Sequence, residues 1–164
     1  MKNLLFSVAL GLFLLFVSNG PASAQATDNL APVAALAGGT WTAEGKWPDG
    51  SLMKTEQRFF WGPTKRVLHF ETYDLVTGTK KLLYEGLIFF EPKRGKLVQW
   101  NFKPNGEVTE QEVTKSDATG YEIRGANTWS IIRMTGKDQF VWELQVNQAG
   151  VWKKFLEAVY KRTP

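Results

Sequence analysis

The sequence predicts an all-β protein, a single antiparallel up-and-down β-barrel of about ten strands with a short N-terminal helix. From Thr40 onward the chain consists of runs of about eight to ten residues rich in Val, Ile, Thr, Phe, Tyr and Trp. Gly, Asn, Asp or Pro separates these runs, and nearly every gap is too short for a crossover helix. Neighbouring strands should therefore pair antiparallel, and a meander of this length hides its edges by closing on itself.

Residues 1–24 have the layout of a cleavable secretory signal. Lys2 precedes the apolar run from Leu4 to Val17, and the small residues Ala22-Ser23-Ala24 follow. The apolar run is shorter than the stretch of about 20 residues that a membrane-spanning helix needs. We therefore expect residues 1–24 to be removed, and the mature protein to be periplasmic or secreted with no integral membrane segment.

The remaining chain reads as one domain. Residues 25–39 are a polar tail and an Ala/Leu-rich stretch, in which Leu30 to Ala37 is predicted to be a helix with Asn29 as its N-cap and Gly38-Gly39 as its stop. Residues 40–164 form the barrel. Asn105-Gly106 is the firmest hairpin signal, because a type I′ turn needs positive φ at both central positions.

The composition of the chain argues against several classes of partner and ligand. The sequence has no cysteine, so burial alone must hold the fold together. The net charge of +4 comes from Lys/Arg residues interleaved with Asp/Glu, which gives no basis for a nucleic-acid partner. One histidine and no cysteine also make a zinc or iron site of the usual kind improbable, and we expect no metal.

Alternation along the strands predicts which side chains face inward. In the second run, Lys54, Glu56 and Arg58 alternate with an apolar and polar set that should line the interior. The same test on other runs points further side chains inward: Val98, Trp100, Phe102, Tyr121, Ile123, Phe140 and Trp142.

The fourth run is apolar on both faces, with Tyr84 and Gly86 on one face and Leu87 and Phe89 on the other. Something must cover its outer side. The short helix is one candidate, and a second copy of the chain, giving a homodimer, is the other.

An aromatic-lined interior suits a small apolar or aromatic ligand. All seven Trp lie after the predicted signal, and a barrel of this size either is packed solid or holds one small ligand. We expect ligand binding, with Gln57 or Tyr84 orienting a polar end; the alternative is a packed structural or interaction module. The predicted binding residues are Gln57, Phe59, Trp61, Tyr84, Trp100, Tyr121 and Trp142.

A barrel enzyme is the other alternative. His69 and Glu71 lie two residues apart on one strand and so share a face. An imidazole beside a carboxylate can act as a general base, for example in an isomerase or lyase. The competing interpretation is an outward surface pair, because Leu68, Phe70 and Thr72 form a rival inward set.

Two short motifs carry a resemblance to a known superfamily. Gly39-Thr40-Trp41 stands at the first strand and Tyr160-Lys161-Arg162 at the last. This Gly-x-Trp start with a basic finish resembles the calycin superfamily, and the chain looks like bacterial, exported lipocalin-like domains of unknown function. The resemblance implies that Trp41 closes the barrel base, that Arg162, or else Lys161, lies across its ring, and that Gly39 lets the turn pack closely.

The predicted strand count is also similar to that of nitrobindin-like haem-binding barrels, in which one histidine near the C-terminal end holds the iron. The only histidine here is His69, in the third run. The sequence departs from that pattern, so we expect no cofactor.

Overall fold

Ten antiparallel strands follow one helical turn in the computed structural model, which describes residues 29–163. This confirms the predicted fold class; the predicted signal, residues 1–24, lies outside the described residues. Helix α1 spans Ala31–Ala34. The strands are β1 (Gly39–Lys46), β2 (Leu52–Trp61), β3 (Val67–Asp74), β4 (Lys81–Glu91), β5 (Lys96–Phe102), β6 (Val108–Asp117), β7 (Gly120–Arg124), β8 (Thr128–Gly136), β9 (Gln139–Gln148) and β10 (Val151–Thr163).

Each strand pairs with the next one along the chain, and β1 pairs with β10 to close the barrel. The two ends of the barrel therefore differ. At one end, which we call the base, β1 begins and β10 ends. At the other end, the mouth, lie the β1–β2, β3–β4, β5–β6, β7–β8 and β9–β10 connections. Within residues 29–163 no helix has the length and apolar character to span a bilayer.

Helix α1 plugs the base. Leu30, Val33 and Leu36 are almost completely buried, and the helix packs chiefly on β6 and β7. It is shorter than the predicted Leu30 to Ala37. Asn29 is not its N-cap, because Leu30 holds that position without a side-chain cap, and a proline lies in the first turn. The expectation that this helix covers the outer face of β4 is wrong, because its apolar side chains point into the barrel core.

Two hairpins at the mouth have similar turns, with an Asp or an Asn between a proline and a glycine. The loops Pro48-Asp49-Gly50 and Pro104-Asn105-Gly106 both end in a glycine with a φ of 85°. The prediction of a type I′ turn at Asn105-Gly106 is wrong, because positive φ occurs at Gly106 and not at Asn105. The reason is the proline: without an N–H it cannot occupy a paired strand position, so the loop takes three residues and a glycine bulge instead of two.

Strand β5 faces the opposite way from the prediction. Trp100 pairs with Leu87 of β4 and Glu110 of β6, and its Nε1 donates a 3.0 Å hydrogen bond to Glu110 on the outer surface. Val98 and Phe102 lie on this same outer face. The apolar outer side of β4 continues onto β5, which places Phe89 5.7 Å from Trp100, centroid to centroid.

Arg162 and Trp41 lock the base. The two residues are register partners, and Arg162 Cζ lies 4.2 Å from the Trp41 ring centroid. Trp41 is fully buried, and its Nε1 donates to the Leu36 carbonyl at 3.0 Å, while Arg162 Nη2 donates to the Ala35 carbonyl at 2.8 Å. A side chain on Gly39 would put Cβ 2.5 Å from Arg162 Nη1, so only glycine allows this contact. One cation thus joins β10, β1 and the segment after α1.

The substitution Arg162→Ala should lower the free energy of unfolding by about 1–3 kcal/mol, because it removes a cation–π contact and a charged hydrogen bond to a carbonyl. Urea denaturation followed by circular dichroism measures the change. Lys161→Ala is the control, since Lys161 is exposed on the outer face of β10. Equal midpoints for the two variants would contradict a locking role for Arg162.

Candidate functional site

The barrel interior contains a cavity of about 410 Å³ that reaches from α1 toward the mouth, where it is open. This volume lies within the range of small-molecule sites and is enough for one small organic ligand. The lining residues are Leu36, Gln57, Phe59, Phe70, Tyr84, Gln99, Asn101, Lys103, Thr109, Gln111, Tyr121, Ile123, Thr128, Ser130, Ile132, Phe140, Trp142 and Leu144.

Rings and aliphatic side chains line the deep part of the cavity. Phe140 stacks on Tyr160 at 4.7 Å and meets the edge of Trp41 at 5.0 Å. On the adjoining strands β2 and β3, the ring centroids of Phe59 and Phe70 lie 6.0 Å apart. The deep part is therefore apolar, and it would stabilise a guest by burying its hydrocarbon surface.

Three tyrosines place hydroxyl groups inside the barrel. Burial raises the pKa of Tyr84, of Tyr121 and of Tyr160 above the ordinary value, with the proximity of Tyr84 adding to the shift at the other two. Tyr160 shares a 2.8 Å hydrogen bond with Thr55. The Tyr121 hydroxyl has no protein hydrogen-bond partner within residues 29–163, so it can donate to a guest. All three remain neutral donors at physiological pH.

Nearer the mouth lies a group of three side-chain amides, Gln99, Asn101 and Gln111, which we call the amide cluster. Gln99 Nε2 donates to Asn101 Oδ1 at 3.0 Å, and Asn101 Nδ2 donates to Gln111 Oε1 at 3.0 Å. Asn101 Nδ2 also donates to Thr109 Oγ1 at 3.3 Å. These bonds fix the amides in one orientation between β5 and β6, facing the cavity.

Lys103 stands at the mouth. It is the one charged residue among the described cavity-lining residues, and its Nζ lies 2.8 Å from Glu107 Oε1 across the β5–β6 hairpin. The ammonium holds the pKa of Glu107 below its ordinary value. The lysine charge is thus already paired, and both side chains are about half exposed.

The structure brings most of the predicted binding residues together. Gln57, Phe59, Tyr84, Tyr121 and Trp142 line the cavity. Trp61 faces inward and packs on the core near the base, away from the cavity lining. Trp100 is on the outer face, and its assignment as an inward residue is wrong because β5 continues the apolar outer surface of β4.

His69 and Glu71 do not face the cavity. Both lie on the outer side of β3, where the His69 ring stacks on Phe60 at 5.2 Å between centroids. Glu71 Oε2 accepts a 2.9 Å hydrogen bond from the Tyr73 hydroxyl and lies 3.4 Å from Arg58 Nη1. A general base acting on a guest inside the barrel would need to face it, so these two residues do not fit that role.

The outer groove beside His69 has a volume of about 300 Å³ and is bordered by Phe60, His69, Glu71, Glu85, Leu87 and Phe102 among others. Phe60 is 42% exposed, so this apolar surface is open to solvent in the single chain. A homodimer that covers it stays a prediction. Among residues 29–163, no three acidic or histidine side chains gather as potential metal ligands.

Sequence reasoning missed the amide cluster, although one signal could have found it. A hairpin centred on Pro104-Asn105-Gly106 sets Trp100 opposite Glu110 and Asn101 opposite Thr109. Because Glu110 and Glu112 are charged and belong outside, this register alone turns Trp100 outward and the amides inward. Apolar content favoured Trp100 as the inward residue, and on this strand apolar content is misleading.

No protein-family model matches the chain, and no curated protein matches it. What the site does must therefore be argued from its geometry.

Raised tyrosine pKa values should make the protein less stable in alkali. A tyrosine whose pKa is higher in the folded state stabilises the fold fully below pH ~10, and this contribution is lost as pH rises further, because the unfolded chain loses its proton first. The free energy of unfolding should fall above pH ~10 by up to about 1.4 kcal/mol per pH unit for each buried tyrosine.

Urea titrations between pH 8 and pH 11 measure this slope. Tyr121→Phe should reduce the slope, while Tyr73→Phe, which alters a half-buried residue on the outer face, should reduce it less. A wild-type stability that is constant across this range would show that the hydroxyls do not stay protonated in the fold.

Proposed function

We propose that the protein is an exported, lipocalin-like binding protein that holds one small apolar or aromatic molecule inside its barrel. One observation carries the proposal: a cavity of about 410 Å³ whose deep part is apolar and whose entrance is polar. Ligand sites in proteins have this size and this combination of apolar walls with a few placed polar groups.

The described residues support a binder over the two alternatives. A packed module would fill its centre with the large side chains available, whereas here rings line the walls and leave space between them. An enzyme with His69 or Glu71 as base would need them in the cavity, and both are outside it. Affinity in this proposal comes from burying the apolar body of the guest, with Gln57, Tyr84 and Tyr121 as polar contacts.

A neutral apolar dye tests the proposal directly. N-phenyl-1-naphthylamine should bind once per chain with increased fluorescence, as the dye leaves water for an apolar cavity. Ser130→Phe places a ring in the cavity and should abolish this binding. The control is Thr42→Phe, which adds the same ring on the outer face of β1 between Glu56 and Lys161.

Circular dichroism must show that both variants stay folded. If the dye binds equally to both variants, its site is elsewhere, for instance on the outer groove at Phe60. If no binding is seen to any form, the cavity does not accept apolar guests and the proposal fails.

Export rests on the layout of residues 1–24 and has its own test. Expression of the whole chain in a Gram-negative host, followed by intact-mass analysis of the periplasmic fraction, should give a mature protein beginning at Gln25, because cleavage follows Ala22-Ser23-Ala24. Full-length chain confined to the cytosolic fraction would rule export out.

A further inference from the structure

We propose that the cavity selects an electrically neutral guest, an amide or an alcohol with an apolar body, and that the amide cluster binds its polar end. The inference rests on the proposed function and adds the chemical class of the ligand. Two observations support it: the absence of unpaired charge from the described cavity wall, and the pattern of hydrogen bonds inside the amide cluster.

Apart from Lys103 at the mouth, the described lining contains no charged side chain that could neutralise a charged guest. Its single charged side chain, Lys103, is already paired with Glu107 at the solvent-exposed mouth. An ionised group moved from water into the cavity would lose its hydration without gaining a counter-ion, which costs several kcal/mol. The free-energy cost of this transfer is far smaller for a neutral polar group, provided that it forms hydrogen bonds.

The hydrogen bonds within the amide cluster leave acceptor and donor groups free on its two glutamines. Asn101 uses both Nδ2 hydrogens, on Gln111 and Thr109, and its Oδ1 accepts from Gln99. Within the described residues this leaves Gln99 Oε1 without a donor, and it leaves one Nε2 hydrogen of Gln99 and both Nε2 hydrogens of Gln111 without an acceptor. Gln99 is only 8% exposed and lines the cavity, so a guest in the cavity can reach its free oxygen.

Only a group that both donates and accepts can satisfy both ends. A primary amide has both functions, and a hydroxyl can donate to Gln99 while it accepts from Gln111. A carboxylate only accepts and would face Gln99 Oε1 unfavourably, while an ammonium only donates and would face the Gln111 amide in the same way. The amide cluster therefore rejects ions of either sign by leaving one of its own groups unpaired.

The position of the amide cluster also orients the guest. Gln99 and Asn101 lie toward the mouth end of β5, whereas Phe59, Phe140 and Leu36 line the part of the cavity nearer the base. The apolar body of the guest would occupy that deep part, and the polar end would point to the mouth. The raised pKa of Tyr121 keeps its hydroxyl available as an additional donor along this path.

Four probes with the same ten-carbon chain separate charge from hydrophobicity: decanamide, decan-1-ol, decanoate and decylammonium. The two ions are titrated below their micelle concentrations, and the two neutral probes below their solubility limits, at pH 7.5 against bound N-phenyl-1-naphthylamine. Decanamide and decan-1-ol should displace the dye with affinities about tenfold or more above those of both ions. Decanoate or decylammonium binding as tightly as decanamide would overturn the inference.

The failure of the inference is distinguishable from the failure of the proposed function. If the dye does not bind at all, the cavity is not a ligand site and the proposed function fails. If the dye binds but decanamide does not displace it, the cavity is a ligand site and only the neutral polar-end class is wrong.

Substitution of the amide cluster provides the matched test. Gln111→Leu removes the free donor and should weaken decanamide about tenfold while leaving the dye bound at least as tightly. Gln145→Leu is the control, because Gln145 lies on the outer face of β9 and bonds to Glu143. Equal decanamide affinity in the two variants would contradict a role for the amide cluster.

If Gln111→Leu fails to fold, Gln111→Glu keeps the shape and replaces the donor by an anion. This variant should weaken decanamide and strengthen decylammonium relative to decanoate, because the new carboxylate attracts the ammonium and repels the carboxylate. An unchanged order of the four probes would again overturn the inference.

Discussion

The whole barrel depends on its shortest seam, the pairing of β1 with β10. The register there joins only Thr40–Thr42 with Lys161–Thr163, whereas β9 and β10 pair along most of their length. The Arg162 cation over the Trp41 ring strengthens this short seam and also holds the segment that follows α1. The contact therefore reinforces the few residue pairs that keep β1 and β10 together and the cavity closed along its side.

Much of the fold was predictable because the β signal is local and repeated. Alternation on β2 and β9 correctly placed Gln57, Phe59 and Trp142 inside, since each strand has one clearly polar face. β5 was not predictable by the same test, because its outer face carries Val98, Trp100 and Phe102 as an extension of the apolar outer side of β4. Where both faces of a strand are partly apolar, only the register with its neighbours decides the orientation.

The same limit explains why the amide cluster was missed. Amide side chains such as Gln99 and Asn101 are expected at the surface when considered one at a time. They become satisfied inside only as a group, through hydrogen bonds that join β5 to β6. A network of this kind is a property of strand pairing, and a single strand carries no sign of it.

Two of the hairpin loops around the entrance are stiff. Pro48-Asp49-Gly50 and Pro104-Asn105-Gly106 each begin with a ring-locked φ, and Asp49 and Asn105 each clamp the backbone N–H two residues later. Such loops have few ways to rearrange, so their side of the entrance keeps a nearly constant width. The cross-section of a ligand then governs its entry and exit. A slender, unbranched molecule passes end-on, whereas a broad one passes only when neighbouring strands separate.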